Sequence, residues 1–92
     1  MKLTAAQKAE LTVAVRHAVA FTSRIYIGQI QLTDTFFPAL LMNPDQRKSL
    51  APTLQIIARW YNGAANVSAS DCANLNVVQD AADLTQKAVE AA

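Results

Sequence analysis

His17 and Cys72 are the single histidine and single cysteine of this 92-residue chain, and they are its only side chains suited to nucleophilic or soft-metal chemistry near neutral pH. A nucleophilic serine or cysteine needs a base within hydrogen-bond reach; His17 is the only imidazole, so an enzyme built on this chain would use His17 with Cys72 or with a carboxylate. Structural zinc takes four nitrogen or sulfur ligands, which two residues cannot supply unless the ion is shared across a dimer. Asp80 and Asp83 lie one helical turn apart. Acid–base work would need surroundings that drive their proton affinities apart, whereas their setting reads as a solvated polar face. The two glycines, Gly28 and Gly63, stand too far apart for a phosphate-cradling loop. The residues therefore predict no enzyme, no cofactor and no metal.

Recognition chemistry is better supplied. Aromatic and arginine side chains bury large area at low entropic cost, and they dominate binding hot spots. Phe36, Phe37, Trp60 and Tyr61, with Ile56 beside them, are candidate apolar anchors; the competing reading for each aromatic is a place inside the core. A second set lies on the first helix. There Arg16, His17, Ala20, Arg24 and Ile27 fall on or beside a face of small apolar residues that also includes Ala6, Ala9 and Val13. Small side chains let another helix approach closely, whether from this chain or another.

These residues must be positioned by helices. Apolar residues make up 52% of the chain, with two glycines and three prolines, a composition that favours helix over sheet or disorder. Thr4 and Gln7 have capping-box spacing, predicting a first helix from about Ala5 to Gln31, kinked near Gly28. On a wheel of 100° per residue, Leu11, Ala14, Val15, Ala18, Phe21, Thr22, Ile25 and Leu32 form its core face. Thr33, Asp34 and Thr35 offer caps for a short apolar helix holding Pro38 in its first turn. Asn43-Pro44-Asp45-Gln46 is a strong helix start, and at Pro52 the segment it opens either breaks into a turn at Arg47–Leu50 and a helix from about Ala51 to Asn62 or simply bends. There Leu50, Leu54, Ile57, Ala58 and Tyr61 face inward, and Gly63 is expected to close the helix in the left-handed conformation. Ser68 or Ser70 caps a last helix from about Asp71 to Ala91, with Leu75, Val78, Ala82, Thr85 and Val89 inward. The expectation is an all-α fold, a compact bundle of four to five helices with a long N-terminal helix, in one domain spanning 1–92.

The net charge is +1, too small to draw in nucleic acid or an anionic membrane by its field. The charge is segregated, with seven basic and three acidic side chains up to Ser70, then four acids and Lys87 alone. That pattern suits self-complementation within a monomer or head-to-tail between copies. A lone cysteine, no apolar leader and no run of about 18 apolar residues point to a cytoplasmic protein without a membrane span. The function expected is a non-catalytic protein-interaction module. It would be a small inhibitor or antagonist of phage or plasmid type, or an accessory subunit, that binds and occludes a larger bacterial protein and can form a homo-oligomer. The alternative is a DNA-binding regulator of helix-turn-helix type reading with Thr53, Gln55 and Arg59, although Ile56 and Trp60 compete for the same outer face.

Overall fold

Thr4 starts the longest helix as its spacing predicts, its hydroxyl accepting from the Gln7 amide while the Gln7 side chain accepts from the Thr4 amide. The computed structural model describes residues 1–92 and is all-α. Its helices are α1 (Ala5–Ser23), α2 (Pro44–Lys48), α3 (Ala51–Tyr61), α4 (Ala69–Ala73) and α5 (Val78–Ala91), with one 3-10 turn at Ile27–Gln29. Helices α1, α3 and α5 pack on one another, and α2 packs on α4. Between them lies one cluster of 21 buried apolar residues, with Phe36, Leu11, Ile30, Met42, Leu50 and Leu54 its largest fully enclosed side chains.

Helix α1 is shorter than expected. It ends at Ser23, where Arg24 takes a left-handed conformation at φ 59°, and β-branched Ile25 and Ile27 weaken any continuation. The chain then doubles back. The Arg16 guanidinium donates to the carbonyls of Ile27 and Ile30, the latter at 2.8 Å. A helix continuing to Gln31 would have put Ile30 about 20 Å from Arg16, at 1.5 Å per residue. The buried arc of α1 is also rotated from expectation. Leu11, Val15, Ala18 and Val19 are enclosed, whereas Phe21 is 86% exposed. Apolar side chains lie so evenly around α1 that the wheel alone does not choose the inward side.

The short helix expected after Thr35 does not form. Residues 31–42 run as turns, with a cis Phe37–Pro38 bond and Leu41 at positive φ. The backbone instead serves α5. Leu32 and Asp34 carbonyls accept from Gln79 and Val78, and the Phe36 amide donates to Asn76. Two amides at the start of α5 that no helical carbonyl can reach are thereby satisfied. This junction also splits the expected last helix in two. Asp80 accepts from the Asn76 and Val77 amides, starting α5 afresh after α4. The inward stripe of Leu75, Val78, Ala82, Thr85 and Val89 is buried as expected. So is that of Leu50, Leu54 and Ala58 in α3, where the break before Ala51 falls as Pro52 implies. Gly63 does not close α3 in a left-handed conformation. Asn62 does so in an extended one, its side chain donating to the Val89 and Ala92 carbonyls at the end of α5.

Candidate protein-interaction face

Two helices set side by side leave their outer arcs to solvent unless a third layer covers them. Helices α1 and α3 are in that position. Tyr61 donates to Glu10 across them at one end, and Thr53 and Ser49 lie beside His17 and Arg24 at the other. The two helices are therefore antiparallel. A shallow groove of about 320 Å³ runs between Glu10, Ala14, Ile56, Ile57, Trp60 and Tyr61. A wider one adjoins it, bounded by His17, Ala20, Phe21, Arg24, Tyr26 and Thr53.

The outer rim of this seam is apolar. Phe21, Tyr26, Ile56 and Trp60 are each between 67% and 86% exposed, and Val13 beside them is 51% exposed. Scattered exposed apolar residues are ordinary, whereas here several large ones line a single seam as one apolar patch. The charged groups sit at its ends. Glu10 is held at one end by the Tyr61 hydroxyl; burial, then that hydrogen bond and the carboxylate charge, push the Tyr61 hydroxyl up to about 12. The proton therefore stays on Tyr61 and Glu10 remains the acceptor. Arg24 lies at the opposite end, exposed.

Of the residues expected to bind a partner, the structure brings five together here: His17, Ala20, Arg24, Ile56 and Trp60. Phe36 is a correction. It is fully enclosed in the core, because the backbone around it pairs with Asn76 and carries its ring inward. Arg16 is also spent internally, as the clasp on Ile27 and Ile30, with its Nε buried and without a partner. Ile27 is half-buried in the 3-10 turn that Arg16 holds. Phe37 is exposed, beside exposed Leu41, on the 31–42 loop. Val13 is exposed on the small-residue face where the residue pattern put it, whereas exposed Phe21 and Tyr26 are ones that the pattern does not single out. The helical wheel places Phe21 on the core face, and only the rotation of α1 reveals it.

Cys72 is fully buried, and burial together with the Asp71 charge pushes its thiol up to about 11, away from a nucleophilic thiolate. It makes no hydrogen bond with His17, which is exposed on α1. No three His, Cys, Asp or Glu side chains converge as metal ligands would. Asp80 caps α5 and Asp83 accepts from Gln79. On α3 the outward positions are Pro52, Ile56, Arg59 and Trp60, and Arg59 is turned to the Ala65 carbonyl; a recognition helix needs several free long polar side chains instead. No helix is long and apolar enough to cross a membrane. Compared with protein-family models, with curated proteins and with solved structures, the chain has no match, so the reading of its function rests on the α1–α3 face.

Proposed function

We propose that the chain is a non-catalytic protein-interaction module that docks through the face shared by α1 and α3. The carrying observation is that Phe21, Ile56 and Trp60, three large apolar side chains, stand exposed along one seam. Exposed aromatics of this kind cost solubility and give the isolated fold nothing, but they supply the anchors around which protein interfaces are built. An inhibitor or accessory subunit that occludes a larger protein, of phage or plasmid type acting on a bacterial partner, is the form of this function we favour. It asks for a surface and no reactive group.

The test is site-specific photo-cross-linking in cells that express the chain. A photoreactive residue replacing Trp60 or Ile56 is expected to give protein adducts on irradiation. The same residue replacing Asp83, on the exposed polar side of α5, is expected to give none. Adducts at Asp83 but at neither α3 position would sink the proposal.

A further inference from the structure

Taking the α1–α3 face as a docking surface, we infer that while no larger partner covers it its occupant is a second copy of this chain, which such a partner would displace, related by a two-fold axis that passes beside His17 and sets the two α1 helices antiparallel. The argument is one of register and charge. Exposed Arg24 stands at the left-handed C-cap just past α1, and along the exposed arc of the helix itself stand Glu10, Val13, His17, Ala20 and Phe21, all but half-buried Ala20 exposed. Their spacing of three and four keeps them on one side of the helix. The order is self-complementary about its middle. Seven positions before His17 is an acid and seven after it a base. Turning one copy end for end lays Glu10 against Arg24 of the second copy, and Arg24 against its Glu10, while Val13 meets Ala20 and Phe21 of the second copy. Ala14 and Ala20 are small enough for the backbones to come close.

A parallel two-fold would stack Glu10 on Glu10 and Arg24 on Arg24, so charge selects the antiparallel pairing. Glu10 is poised for it. Tyr61 holds one of its carboxylate oxygens and leaves Oε2 without a partner. Ile56 and Trp60 lie alongside on α3 and extend the contact toward its own copy. A standard interface takes about 800 Å² from each partner, a small part of this chain's 5271 Å². A face two helices wide and about 20 Å long, at 1.5 Å per residue, falls short of that, so a reversible dimer is expected, half-formed at roughly micromolar concentration.

Disulfide trapping and sedimentation test this on the whole chain, with buried Cys72 left in place. At the axis, helices packed at 8–10 Å bring the two Cα atoms of residue 17 to about 5 Å, within disulfide range. His17→Cys is expected to cross-link to itself under mild oxidation. Glu10→Cys and Arg24→Cys are each expected not to, because their copies lie about 20 Å apart, yet mixing the two variants is expected to cross-link them to each other. In sedimentation equilibrium, Glu10→Arg or Arg24→Glu alone should weaken dimerisation about tenfold, through two lost pairs and new repulsion. The double variant Glu10→Arg with Arg24→Glu should recover most of that loss. Self-linked Glu10→Cys, or a double variant as weak as either single one, would overturn the inference. So would a chain that stays monomeric at about a thousand times the expected midpoint with no link at residue 17. In that last case, Trp60 photo-adducts to a protein of another mass would leave the docking face standing without the dimer, and no adduct at Trp60 or Ile56 would remove both.

Discussion

At the residue scale, Cys72 shows how position can remove chemistry that composition offers. Its thiol is enclosed in the core beside Asp71, and burial first, the carboxylate second, raises it from 9.0 to about 11. A shift of that size leaves about a hundredfold less thiolate near neutrality, and thiolate is the reacting form. Native protein is therefore expected to alkylate with iodoacetamide at least about a hundredfold more slowly than the chain unfolded in guanidinium, where access and ionisation both return. Rapid labelling of the native chain would show that α4 opens readily, and the thiol would then re-enter consideration as a reactive group. Sequence spacing could not tell whether Cys72 and His17 would meet, because helices α1 and α4 place them independently.

At the element scale, neighbouring phenylalanines take opposite roles. Phe36 is pinned inward by the backbone bonds of residues 35–36 to the start of α5, whereas Phe37 is 59% exposed. Phe36→Ala is expected to lower unfolding free energy by about 3–5 kcal/mol through lost burial and a cavity. Phe37→Ala should change it by no more than about 0.5 kcal/mol. Urea unfolding followed by far-ultraviolet circular dichroism checks both, and similar losses from both would refute this placement. The contrast also marks what the residue pattern conveyed. Local signals read well: the Thr4 and Asn43 capping boxes, the break before Ala51, and the three–four stripes of α3 and α5 all stand where the spacing puts them. Three features were illegible because distant partners decide them. Arg16 folds the chain back at Ile27–Ile30, α5 recruits the carbonyls of Leu32 and Asp34, and the flanking helices set the rotation of α1. Ile56, Trp60 and His17 could be named as surface candidates from their helical positions. Phe21 and Tyr26 could not, since one needed the rotation and the other the end of α1.

For the whole molecule, the segregation of charge does not tie the fold together. The structure holds one ion pair, Lys48 with Asp45, and it is exposed, so the acids of α5 are not matched to the basic side chains of the preceding helices. One of them, Glu90, closes the chain on itself. Glu90 accepts from the Leu3 amide across a sequence separation of 87 residues, and that bond, more than the Gln86 side chain or the nearby Lys8 and Lys2, holds its carboxyl below the usual 4.5. A carboxyl lowered in the folded state stabilises that state fully above its unfolded value, and the contribution is lost as pH falls through the folded value. Between neutral pH and about 5 the clasp should therefore be insensitive to pH. Below the ordinary carboxylate range, protonation should free the segment before α1 ahead of global unfolding, because Leu3 is the only buried residue of the first ten and little else retains it. Amide hydrogen exchange is expected to show Leu3 losing protection on acidification while Leu11 and Val15 keep theirs. Glu90→Ala, which removes the acceptor, should show fast exchange at Leu3 that no longer varies with pH beyond the intrinsic rate. If Leu3 and Val15 lost protection together, the ends would belong to the same cooperative unit as the core, and Glu90 would be an ordinary surface acid.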